Sequence, residues 1–191
     1  MSRTTMLVVC TLALALCAGS AFAVTPPADT LKVDYFANAN TAGAPDATVR
    51  LTNPGSAGGG VCANVYVFDA FQEMSECCSC YISPDGLRTI SVNTNLTSNP
   101  LTGVTLNTGA IKIVSNVATS TYCPVPTKAN TIFGGVRAWA THIQNSNFTV
   151  TETASQDATL SSAEVSRLNA ECSAISLDGS GRGICSCGTG D

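Results

Sequence analysis

The side chains best able to do chemistry in this chain are its cysteines. Glu76-Cys77-Cys78-Ser79-Cys80 and Cys185-Ser186-Cys187 place five of them in two short stretches, with Cys62, Cys123 and Cys172 elsewhere. Two chemistries suit such a set. In an oxidising compartment the eight pair off into as many as four disulfides. As thiolates, the two clusters would offer a soft site for Cu(I) or a tetrahedral site for Zn. The spacing favours disulfides, because zinc fingers and ribbons use cysteines two to four residues apart in pairs, which neither cluster reproduces. Cys77 and Cys78 are adjacent and point apart, so each is expected to pair elsewhere. Eight cysteines allow on the order of a hundred pairings, and the connectivity stays open at this level.

Oxygen and nitrogen ligands are sparser. Asp69, Glu73 and Glu76 form an acidic group beside the first cysteine cluster. Such a group could hold Ca²⁺, or hydrolyse a glycoside if two carboxyls were suitably separated. No recognised loop pattern surrounds it, and a solvated loop is the plain expectation. His142 is the only histidine, so any Ser-His-Asp or Cys-His enzyme would depend on it. No serine lies in a nucleophile-elbow sequence, and an enzyme is not expected. The Asp178–Gly183 stretch (DGSGRG) has the composition of a calcium or phosphate loop. It lacks an oxygen ligand at Arg182 and a P-loop Lys-Ser/Thr pair, and reads as a glycine linker.

The compartment follows from the N-terminus. Arg3, the apolar run Met6 to Leu16 and the small residues Ala21 and Ala23 have the three parts of a secretory signal, with cleavage expected after Ala23. Leu14-Ala15-Leu16-Cys17 resembles a lipoprotein box but has Leu16 where a small residue belongs. Cleavage would remove Cys10 and Cys17 and leave the eight cysteines above. It would also remove Arg3, leaving a charge one unit more negative than the −4 of the whole chain. Only 12% of residues are charged. That argues against nucleic acid or anionic lipid as partners, since both need clustered cations.

The positioning elements read as mainly β. Leu31 to Phe36 alternates, with Leu31, Val33 and Tyr35 on the expected buried side and Lys32 and Asp34 on the other. Ala47 to Thr52 alternates likewise before Asn53-Pro54-Gly55. Val61 to Ala70 is apolar on both faces, as a strand covered on both sides should be. Ser83-Pro84-Asp85-Gly86 is a turn, and Leu87 to Val92 and Ala110 to Val117 are further strands. Val136 to Ile143 and Phe148 to Thr153 form a hairpin across residues 144–147. Tyr35, Phe36, Tyr66, Phe68, Phe71, Tyr81 and Trp139 are assigned to the core in preference to a sugar-binding platform.

One helix interrupts this pattern. Ser161 with Glu164 makes a capping box, Leu160 and Val165 a hydrophobic staple. Val165, Leu168, Cys172 and Ile175 make an apolar stripe on a helix from Ser162 to Ile175. A bridge from Cys172 would fasten that helix to the sheet or to the tail. Asn95-Leu96-Thr97 and Asn147-Phe148-Thr149 are sequons that mark surface loops in a host that glycosylates.

The expected architecture is an antiparallel β-sandwich, Ig-like or jelly-roll-like, over residues 24–157. A C-terminal helix and Cys-rich tail at 158–191 pack on the same domain. The expected role is a secreted, extracellular or periplasmic structural or binding module without a cofactor. Its partner would be protein or carbohydrate at a cell surface, and self-assembly through the strand at Leu31 is a further expectation. The alternative is a secreted metal-binding protein using the cysteine clusters or Asp69, Glu73 and Glu76.

Overall fold

The computed structural model describes residues 29–124, 132 and 134–190, so the expected signal peptide at 1–23 lies outside the described residues. The strands are β1 (Leu31–Phe36), β2 (Thr48–Thr52), β3 (Val61–Asp69), β4 (Met74–Ile82), β5 (Leu87–Ser91), β6 (Gly109–Val117), β7 (Arg137–Gln144), β8 (Thr149–Ala154) and β9 (Gln156–Ala158). A helix, α1 (Ser162–Asp178), follows. Two antiparallel sheets result, with strand orders β4-β3-β6-β1-β9 and β5-β2-β7-β8. They pack face to face as the β-sandwich that the alternating strands predict, and α1 covers the outer face of the first sheet.

The uninterrupted β-forming run of β3 follows from this layering. Val61, Ala63, Val65 and Val67 face the second sheet and meet Val49, Leu51, Ile90 and Ala140. Tyr66 and Phe68 face the other way, against Leu168, Cys172 and Ile175 of α1. Each large side chain fully withdrawn from water contributes about 1.5–3 kcal/mol. The strand has no polar face because it has no wet face.

The helix begins where its cap is written. Ser161 Oγ accepts the Glu164 N–H at 3.1 Å. The reciprocal half of the box is replaced: the Glu164 carboxylate takes Lys112 of β6 and Arg167 instead. Those two cations hold it near pKa 2, the Arg167 hydrogen bond being the larger cause, and both lie about 5 Å from the Phe68 ring centre. The helix runs to Asp178, three residues beyond the apolar stripe, and stops at Gly179 with φ 72°.

The Cys-rich stretch, to which the sequence assigned no element, is a strand, β4, paired with β3. Two local expectations are corrected. On β1, Leu31 is buried and Val33 half-buried as expected, but Lys32 and Asp34 on the other side are buried too, and Tyr35 is 48% exposed. Phe71 and Trp139 are likewise exposed and do not belong to the core. The turn at Ser83 and the β7–β8 hairpin form where predicted. Gly86 N–H donates to Ser83 O at 3.0 Å, and Gln144 pairs with Thr149 across the hairpin.

Candidate functional site

Alternation along β4 decides where its sulfurs go. Cys77 leaves on the helix side and bonds Cys172, fastening α1 to the sheet. Cys78 and Cys80, two residues apart on the opposite face, bond Cys185 and Cys187 of the tail. Cys62 bonds Cys123. The two Cys-Ser-Cys stretches therefore lie side by side, in the same chain direction. Their sulfurs make the one His/Cys/Asp/Glu group of metal-binding compactness among the described residues, with Cys78, Cys80 and Cys187 Sγ all within 4.8 Å of one another. Cys78 and Cys80 are buried and Cys187 is partly open.

The tail reaches both sheets. Cys77 N–H donates to Gly183 O at 2.8 Å and Cys185 N–H to Cys77 O at 3.2 Å, a short parallel pairing on the edge of β4. Further on, Thr189 and Thr89 of β5 exchange both backbone hydrogen bonds, at 2.9 and 3.0 Å. Gly188 makes this approach possible, since a Cβ there would stand 2.1 Å from Thr89 O, and its φ is 65°. The edges of both sheets on this side are thus covered by one segment.

The opposite side is closed by polar groups. Asp34 Oδ1 lies 3.3 Å from His142 Nε2, and both side chains are 4% exposed. Asp34 also accepts the Tyr35 N–H and the Ser155 hydroxyl, at 2.9 and 2.7 Å. His142 Nδ1 lies 3.2 Å from Tyr35 O. Thr153 Oγ1 stands 2.9 Å from Nε2, and the Tyr35 ring stacks on the imidazole at 4.2 Å. In a hydrolytic triad the acid and the nucleophile occupy different ring nitrogens. Here the hydroxyl and the carboxylate share Nε2, and the group ties β1 to β7 and β8.

The acidic group does not assemble. Asp69 closes the β3–β4 turn by accepting the Phe71 and Glu73 N–H groups. Glu76 is instead 0% exposed, on the inner face of β4 beside Cys78. Its Oε1 accepts the Asn99 N–H at 3.0 Å, and Oε2 is the only buried side-chain polar atom without a partner among the described residues. Burial pushes this carboxyl up to about 7, against the opposing pull of the Asn99 hydrogen bond. The strand alternation that buries Glu76 separates it from Asp69 and Glu73.

The second sheet presents an open outer face. Cross-strand register aligns Thr89, Arg50, Trp139 and Ala154 in one row, with Ser91, Thr48, Thr141 and Glu152 beside it. Trp139 is 36% exposed, and Arg50 reaches across to pair with Glu152. Between β5 and the tail lies a groove of about 360 Å³ whose lining combines the hydroxyl and amide side chains of Thr48, Thr89, Ser91, Asn95, Ser186 and Thr189 with Cys187 and Gly188. Its β5 wall at Thr89 stands two strands from Trp139 in the same row, about 10 Å. Asn95 is built into this wall: it accepts the Ser91 N–H and donates to Ser186 Oγ. Asn95 is half-buried in a helical turn with Leu96 and Thr97 buried, whereas Asn147 is exposed at the hairpin.

Sequence reasoning missed this face because its members are single Thr, Ser and Arg residues on four strands. Only the register unites them. The sulfurs were visible individually, and their arrangement depended on recognising β4 as a strand. No family model, no curated protein and no solved structure matches the chain.

Proposed function

We propose that this chain is an exported, disulfide-braced binding module that holds a neutral polysaccharide on the outer face of its second sheet. The observation that supports this most directly is the Thr89–Arg50–Trp139 row beside the hydroxyl-rich groove. Sugar rings combine an apolar face, which suits an indole, with fixed hydroxyls that suit planar and hydroxylated side chains. The separation of about 10 Å between the Thr89 wall of the groove and the indole spans more than one sugar unit along a chain. Four disulfides suit an oxidising compartment, and no described helix is long and apolar enough to cross a membrane. The role is non-enzymatic in this reading, because the only histidine is spent on joining strands.

Affinity electrophoresis of the exported protein through gels containing cellulose derivatives, xylan, mannan or glycol chitin tests the reading. Retardation by at least one polymer, lost in Trp139→Ala with the fold intact, is the expected result. Equal mobility in every polymer, or retardation unchanged by Trp139→Ala, would overturn it.

A further inference from the structure

The two parallel Cys-Ser-Cys stretches support a site that goes beyond polysaccharide binding. We propose that Cys78, Cys80 and Cys187, once released from their disulfides, bind one Cu(I) ion. Three of the sulfurs already lie within 4.8 Å of one another, and no nitrogen or oxygen ligand joins the group. An all-sulfur set selects soft cations, and three sulfurs suit a trigonal monovalent copper ion, whereas Zn²⁺ is held by four ligands. Cys78 and Cys80 are held on one face of β4 by its pairing with β3, so half of the site persists whether or not the tail is bonded.

The chemistry needs a reductant, here a dithiol. Its thiolate attacks Cys187 Sγ, the partly open sulfur of the cluster, and the Cys80–Cys187 bond breaks with its electron pair on Cys80. The second thiol of the reductant resolves the mixed disulfide, leaves as the cyclic disulfide, and frees Cys187. A second dithiol reduces Cys78–Cys185 in the same way. Four electrons and four protons enter in all, and binding of Cu(I) then displaces the protons from the ligating thiols. The oxidised protein has no thiolate to offer, so the site exists only in the reduced form.

The test is titration of the whole exported protein with Cu(I) in competition with bathocuproine disulfonate, before and after anaerobic native-state reduction. Alkylation and peptide mass identify the bonds that have opened. The reduced protein is expected to withdraw one Cu(I) per chain from the chelator, and the oxidised protein none. Cys80→Ser should weaken the reduced form by more than the roughly 10- to 100-fold that loss of an outer-sphere contact costs. Cys77→Ala/Cys172→Ala, which removes the bridge on the other face, should leave the stoichiometry at one. No Cu(I) uptake after both tail bridges have opened would overturn the proposal, as would uptake unaffected by Cys80→Ser. Preferential retention of Zn²⁺ over Cu(I) in a parallel titration would overturn the choice of metal. Cys187→Ser, at the partly open end, repeats the comparison if Cys80→Ser does not fold.

Discussion

Cys77 and Cys78 are consecutive on β4, and their sulfurs leave on opposite faces, one to Cys172 of α1 and the other to Cys185 of the tail. A single strand therefore anchors both of the segments that follow the sandwich. The bridges span 95 and 107 residues, and either one constrains most of the same length of unfolded chain.

Removing one bridge should accordingly cost less than the sum of both and loosen only its own side. Cys77→Ala/Cys172→Ala should lower stability by about 2–5 kcal/mol in a urea titration. Hydrogen exchange should accelerate in α1 and stay slow in the Thr89–Thr189 contact. Cys78→Ala/Cys185→Ala should give the opposite pattern, and uniform acceleration in both variants would contradict independent anchoring.

Glu76 gives the fold an unusual pH dependence. Its folded pKa, about 7, lies above the ordinary 4.5. Below pH 4.5 the group is protonated in both states and imposes no penalty. Between those values the unfolded chain releases the proton and the folded one retains it. Stability should then fall by roughly 1.4 kcal/mol per pH unit, and level off above pH 7. Glu76→Gln keeps an acceptor for Asn99 and should flatten this slope in denaturation curves taken from pH 4 to 8. An unchanged slope would place the titrating group elsewhere.

The Asp34–His142 contact should matter to stability and not to turnover of any substrate. His142→Ala leaves a buried carboxylate with Tyr35 N–H and Ser155 as its remaining donors. A loss of about 2–3 kcal/mol is expected by chemical denaturation. A change below about 0.5 kcal/mol would mean the cluster is not a structural joint.

β1 lies between β6 and β9, hydrogen-bonded on both sides. Self-assembly through this strand would thus require its exchange between chains, while β8 is an edge of the second sheet with every residue exposed. Deleting residues 24–36 should abolish the near-ultraviolet circular dichroism of the folded protein. A folded monomer after that deletion would be incompatible with the first sheet's order.

The parts of this fold legible in the sequence were those governed by neighbours in the chain. The Ser161 cap and the Leu168-Cys172-Ile175 stripe specify α1 within a few turns, and apolar residues on both faces of β3 announce two covering layers. β4 was hidden because sulfur occupies both of its faces, masking the alternation that marks a strand. β1 was misread for a different reason. Lys32 and Asp34 turn inward because Asp157, His142 and Ser155 meet them, all from more than a hundred positions away. The outer face of the second sheet was invisible on the same principle, since its rows exist only across strands.

The tail has a consequence for biogenesis. During the proposed export, Cys77, Cys78 and Cys80 would emerge long before their partners, which follow 95 and 107 residues later, whereas Cys62 waits only 61 residues for Cys123. An oxidase acting in order of emergence would join the early cysteines to one another. Correct maturation therefore depends on reshuffling after translocation, and a host lacking a disulfide isomerase should accumulate mispaired chains whose sandwich is open along β4 and β5.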